Sequence, residues 1–146
     1  MKIYEIFDKR ELMPLFLIAD EQESMVEKYI DEVSTFVLDD DGVKGEISVC
    51  AVSESVLEIK SLAVCPCCRK KGFGRALVNF VCEKYKNQFK IVQVGTGDSP
   101  LTVPFYKKCG FEKSHIVKNF FTDNYDHPII ENGVRLVDMI YLRKAL

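Results

Sequence analysis

The stretch "VLEIKSLAVCPCCRKKGFGRALVNFVCEKY", residues 56–85, constrains the fold more than any other part of the chain. Its first third is rich in β-branched residues and reads as a strand from Val56 to Val64. Its last third places Phe73, Leu77, Phe80, Val81 and Tyr85 at the spacing of one helical face, so a helix is predicted from Gly72 to about Lys86. Only a short turn fits between the two, and it carries Arg69, Lys70, Lys71, Gly72 and Gly74. A strand entering a helix through such a turn builds an anion site, because the unpaired amides at the helix start point outward and the macrodipole favours negative charge there. Gly72 and Gly74 let an anion come close to the backbone. A run of cations alone is the usual composition of a solvated face; its position beside the glycines makes it part of a site.

The spacing narrows the ligand. "RKKGFG" lacks the GxxxxGK[ST] of a P-loop and the first glycine of a dinucleotide fingerprint, which disfavours a nucleotide hydrolase or a dehydrogenase. The same turn holds Cys65, Cys67 and Cys68, but no second CxxC or CxxH pair accompanies them, and adjacent cysteines seldom both reach one tetrahedral ion. No metal site is expected. A thiol at Cys67 or Cys68, beside a helix N-terminus and cations, is expected to have a lowered pKa and to react readily. Cys50, Cys82 and Cys109 read as buried reduced thiols.

The rest of the chain alternates strands and helices. "KIYEIF" favours a short strand, helical signals gather around Pro14, and "DEQESMVEKYIDEV" predicts a clear helix. Asp20 and Glu23 there resemble a capping box, and Met25, Val26, Tyr29, Ile30 and Val33 form one apolar stripe for the core. Thr35–Leu38 and Glu46–Val52 flank "DDDGVKG" as a hairpin. "FKIVQVGTG" is a buried strand and "VPFYKKCG" a short helix closed by Gly110. "FEKSHIVKNFFTDNYDHPIIENGVRL" mixes a strand start with a long aromatic, polar loop, and "VDMIYLRKAL" is a final strand.

Length and composition set the frame. A chain of 146 residues, 47% hydrophobic, fits one domain, 1–146, with a single core and no repeat or linker. Lys and Arg total 20 against 22 Asp and Glu, so no global field attracts nucleic acid and any anion site is local. The N-terminus has neither a secretory h-region nor a spanning apolar run, and the expectation is a cytoplasmic protein without a membrane or nucleic-acid partner.

At two places the sequence resembles the Gcn5-related N-acetyltransferase (GNAT) family. Its acyl-CoA signature, [RQ]-x-x-G-x-[GA], is matched by Arg69-Lys70-Lys71-Gly72-Phe73-Gly74 after "SLAVCP", and "FYKKCGF" supplies a Tyr106 before the Gly110-Phe111 pair. The resemblance implies an α/β (α+β) fold: a mixed, mostly antiparallel sheet of six to seven strands with about four helices, splayed between the fourth and fifth strands. It implies acetyl-CoA as cosubstrate, a primary amine, expected to be a small molecule, as second substrate, direct attack within a ternary complex, and no metal, with a homodimer one arrangement open to it; the alternatives are an acyl-CoA-binding protein without transfer activity and a protein or peptide N-acetyltransferase.

Residue by residue, the family pattern puts the coenzyme A pyrophosphate on the amides from Arg69 to Arg75, including Lys70, Lys71, Gly72, Phe73 and Gly74. The pantetheine arm runs beside Leu62, Ala63 and Val64, with the Val64 amide polarising the thioester carbonyl. Tyr106 matches the tyrosine that protonates the leaving sulfur, and Glu58 falls where the histone-modifying branch carries its glutamate base. An unperturbed Glu titrates at about 4.3, so base chemistry there calls for burial. Ser99, like Asp98, stands where the family often has an Asn contacting the cofactor arm. The acceptor site is expected from the N-terminal helices and the segment from His115 to Glu131, with Tyr125, Asp126 and Glu131 suited to a cationic amine. His115 and His127 read as surface histidines.

Overall fold

The structure is a computed structural model describing residues 1–146. Its strands are β1 (Lys2–Ile6), β2 (Ser34–Asp39), β3 (Val43–Ala51), β4 (Val56–Val64), β5 (Ile91–Gly97), β6 (Glu112–Val117), β7 (Ile130–Glu131), β8 (Val134–Arg135) and β9 (Met139–Ala145). Its helices are α1 (Met13–Ala19), α2 (Glu23–Glu27), α3 (Phe73–Tyr85), α4 (Val103–Lys108) and α5 (Phe120–Asn124). Seven strands form one sheet in the order β1-β2-β3-β4-β5-β9-β6, antiparallel except for the β4–β5 pair, and β7 and β8 make a separate hairpin.

The sheet buries both faces, and the alternation of each strand decides which residue serves which layer. Phe36, Ile47, Leu57, Ile59, Val92, Val94 and Leu142 pack beneath Leu77, Val78 and Val81 of α3. On the opposite face Val37 and Ala63 pack against Leu12, Leu15 and Phe16 and against Val26 and Ile30. Glu46 stands directly opposite Val37 and Ala63 in the register, so it belongs to this second face, under α1 and α2.

β4 breaks its own regularity at the point that shapes the site. Ser48 pairs with Ser61 but Val49 pairs with Ile59, leaving Lys60 as an extra residue, a β-bulge. Pairing with β5 ends at the same level, the last partners being Ile59 and Val94. A bulge bends its strand and increases local twist. Beyond it Ser61–Val64 stays with β3 while Gly95–Gly97 stays with β9, and the two strands part.

Three expectations need correction. The helix read over residues 20–33 is regular only from Glu23 to Glu27; turns follow, with Ile30 N–H on the Val26 carbonyl and Val33 N–H on that of Tyr29, which still deliver Val26, Ile30 and Val33 to the core. Asp20 does not cap that helix: Gln22 stands at its start, and the Asp20 carboxylate instead accepts from the Tyr125 hydroxyl at 2.8 Å. The segment after β6 is not one long loop, since it contains α5 and the β7–β8 hairpin, turned by Asn132 (φ 52°) and Gly133 (φ 79°).

Candidate active site

The cradle starts where β4 ends. Pro66–Cys68 make one tight turn, Lys70 adopts φ 65°, and Gly72, at φ 81°, starts α3. Ala76 is the first residue of α3 whose amide finds a helical acceptor, the Gly72 carbonyl at 3.0 Å. No main-chain amide from Lys70 to Arg75 donates to a backbone carbonyl outside α3. A Cβ on Gly72 would meet nothing within 4 Å, so the space beside Gly72 is open. Arg69, Lys70, Lys71 and Arg75 are exposed around it, and none joins an ion pair. Gly74 has a different reason: a Cβ there would come within 3.2 Å of the Phe105 ring, so the glycine lets α3 and α4 approach.

The splay continues the cradle toward the centre of the sheet. The Cys65 amide donates to Lys44 on β3 at 2.8 Å. Amides alternate sides along a strand, which turns those of Val64 and Leu62 away from β3, toward the gap that β5 has left. Phe73 is buried behind the gap. Of the residues named for a cofactor on sequence grounds, Leu62 to Val64 end β4 at the gap and Arg69 to Arg75 follow after the Pro66–Cys68 turn, while Ser99 and Tyr106 lie on the β5–α4 side.

Tyr106, on α4, is 6% exposed and packed edge-on between Phe105 and Phe111, with ring centroids at 5.0 and 5.5 Å. Burial raises its pKa, and Cys109, Glu46 and Glu131 add to the effect, so the phenol is held protonated. Ser99 lies buried in the turn after β5, its hydroxyl accepting from the Leu101 amide at 3.0 Å. It organises the approach to α4.

Two buried carboxylates stand on β3 and β4. Glu58 is 5% exposed, and both of its oxygens are occupied: Gln93 donates at 2.5 Å and Lys60 at 2.7 Å, while Arg143 donates to Gln93 at 3.0 Å. This ladder crosses β4, β5 and β9 just below the splay. Glu46, read from the sequence only as the start of a strand, is 0% exposed, and its only side-chain donors are the hydroxyls of Ser61 (3.1 Å) and Ser48 (3.4 Å). Burial pushes its pKa up to about 8, against the two hydroxyls. A Glu inside a strand otherwise read as core was the signal available for it. Near it the Tyr29 hydroxyl is buried without a hydrogen bond of full geometry; burial, Asp20 and Glu46 raise its pKa, and the neighbouring Ser61 hydroxyl opposes them.

The N-terminal turn and the segment before β7 are laced together. Besides the Tyr125–Asp20 bond, the Asp126 amide donates to the Gln22 side chain at 3.3 Å, and His127 lies 3.8 Å from Glu21. Burial raises the pKa of Glu131, with Glu21 adding to the effect and Arg69 opposing it. His127 is exposed, and His115 stacks on Tyr141 at 4.6 Å.

The cysteines are all free. Cys109 is buried as expected, while Cys50 and Cys82 are partly exposed. The lowered pKa expected beside the helix start is not found at Cys68: contact with Cys67, Sγ to Sγ 3.6 Å, raises it. No group of three His, Cys, Asp or Glu side chains is arranged to hold a metal ion, and no helix is long and apolar enough to cross a membrane.

With this geometry in view, the comparisons with known proteins fall on one family. The family model described as an acetyltransferase (GNAT) domain matches residues 31–113. The uncharacterized N-acetyltransferase YvbK of Bacillus subtilis (strain 168) is 33% identical over 135 residues, 90% of this chain and 87% of YvbK. A GNAT family acetyltransferase from Elizabethkingia anophelis, solved with acetyl-CoA bound, superposes with a TM-score of 0.93 at 31% identity, covering 99% of this chain and 97% of that one. A Bacillus subtilis acetyltransferase in complex with CoA gives 0.90 at 32% identity, covering 99% and 98%. The strand order, the splay and these matches agree, and the chain belongs to the GNAT family of N-acetyltransferases.

Proposed function

We propose that the chain transfers the acetyl group of acetyl-CoA to a primary amine by direct attack in a ternary complex. The observation that carries this reading is the run of unpaired amides from Lys70 to Arg75, with open space beside Gly72, one turn on from the end of β4 at the β4–β5 gap. Backbone N–H groups at a helix start are suited to a pyrophosphate, and Arg69, Lys70, Lys71 and Arg75 add charge. The two relatives solved with acetyl-CoA and CoA support the same cosubstrate here.

In this reading the arm follows Leu62, Ala63 and Val64 along the gap, with outward amides available to the thioester carbonyl. Tyr106, protonated and packed beside the gap, gives its proton to the leaving thiolate. Ser99 supports the cofactor arm indirectly, through the turn it holds. Glu58 serves less well as base than its sequence position suggests. It lies four residues before Leu62, about 13 Å along a strand at ~3.3 Å per residue, and Lys60 and Gln93 already hold its carboxylate. Its role in our reading is to tie β4 to β5 below the gap.

The acceptor is a small cationic amine. Asp20, Glu21, Asp126 and Glu131 gather where the N-terminal turn meets the segment around β7, with Lys28, Arg69 and Arg135 as the nearby cations. The test is release of free CoA from acetyl-CoA against polyamines, aminoglycosides, amino acids and peptides. Amine-dependent release, highest with amines that carry a second positive charge, is expected; absence of both CoA binding and release would refute the reading.

A further inference from the structure

We propose that Glu46 receives the proton lost by the acceptor amine, with the Ser61 hydroxyl as the bridge between them; this rests on the acetyl-transfer reading above. Position is the first argument. Glu46 is in register with Ala63, between Leu62 and Val64, whose amides face the gap, and Ser61 precedes them on the same strand. Glu46 therefore stands at the level where the thioester is read to lie.

The surroundings are the second argument. The groups around Glu46 are Ser48 on its own strand, Thr35 on β2 behind Ser48 (2.7 Å), Ser61 on β4 and Tyr29 after α2; Asp20 at the end of α1 acts on Tyr29, and Tyr106 on α4, packed in the cluster under α3, feels the Glu46 charge. No cation is among them. Protonating Glu46 breaks no ion pair, whereas protonating Glu58 would forfeit Lys60. The third argument is Tyr29. Its buried hydroxyl has Ser61 beside it but makes no hydrogen bond of full geometry, so with Glu46 and Asp20 also acting on it this is a polar spot whose bonding is incomplete. An entering amine supplies a further polar atom. Finally, a base titrating near 8 is matched to work at neutral to mildly alkaline pH.

The protons balance. The ammonium gives a proton to the Ser61 oxygen as Ser61 passes its own to Glu46, leaving a neutral amine. The nitrogen lone pair forms the C–N bond at the thioester carbonyl, the C–S bond breaks with its electrons on sulfur, and the thiolate takes the Tyr106 proton. The extra proton on the new amide nitrogen restores Tyr106, and Glu46 later releases the single proton gained to solvent.

The test is kcat/KM against pH for the unmodified chain, Glu46→Gln and Ser61→Ala, with acetyl-CoA and the amines of the panel above, beside calorimetric titration with acetyl-CoA. The unmodified profile is expected to rise through about 8. Glu46→Gln is expected to lose that rise and about 100-fold in kcat, keeping acetyl-CoA affinity and the separate rise of the amine itself near ~10. Ser61→Ala is expected to lose the same rise, and it decides alone if Glu46→Gln does not fold. An unchanged profile in either folded variant overturns the inference, as does an equal loss of acetyl-CoA affinity. Failure of the unmodified chain to bind acetyl-CoA or acetylate any amine would instead remove the functional reading on which it stands.

Discussion

At the scale of single residues, two side chains carry separable consequences. Tyr106→Phe removes one hydroxyl from an aromatic cluster that keeps its packing against Phe105 and Phe111. A loss of about 100-fold in kcat with little change in either KM is expected from steady-state kinetics, and an unchanged kcat would take Tyr106 out of proton transfer. Glu46 has a second signature, in stability. Its folded pKa of about 8 lies above the ordinary 4.5, so the folded state holds its proton to higher pH than the unfolded chain. The associated stability is fully present below about 4.5 and is lost as pH rises to about 8, at up to ~1.4 kcal/mol per pH unit. Denaturant melts across that window should show the decline, and Glu46→Gln should flatten it. The sequence pointed to Glu58 and passed over Glu46, because motif spacing locates a position along a strand but does not say which carboxylate has a cation beside it.

At the scale of elements, the legible parts were those fixed by local chemistry. The β4-turn-α3 unit, the hairpin at Gly42 and the short α4 were readable because glycine, periodic apolar residues and chain length act within a few residues of one another. The shortening of α2 and the use of Asp20 were not, since the Tyr125 hydroxyl that claims Asp20 lies 105 residues away. The bulge at Lys60 was equally hidden: it arises from pairing between β3 and β4, which no single strand displays. The Asn132-Gly133 pair was a readable hairpin turn between Ile130–Glu131 and Val134–Arg135, obscured by the short strands around it. Gly72 allows a test of the turn itself. Gly72→Ala puts a Cβ into the open space beside it at a φ that costs an L residue about 1–2 kcal/mol. Calorimetry is expected to show acetyl-CoA affinity falling about 10-fold or more while the melting temperature drops by only a few degrees; unchanged affinity would move the anion elsewhere.

At the scale of the whole molecule, the site exists because the sheet is one structure below the bulge and two above it. β4 and β5 are tied by the Glu58–Gln93–Arg143 ladder and then separate, one following β3 and the other β9. α3 brings its amides to one side of the gap. The N-terminal turn and the segment before β7 are joined through Asp20 and Tyr125. In the proposed reading cosubstrate and acceptor reach the gap from separate parts of the chain, the arrangement direct transfer requires. Hydrogen exchange with and without acetyl-CoA tests this most directly, since the amides from Lys70 to Arg75 and those of Leu62 and Val64 are the ones read as free to bind it. The account expects fast exchange at these amides in the free protein and protection concentrated there on binding; protection absent from them, or centred on another surface, would contradict it.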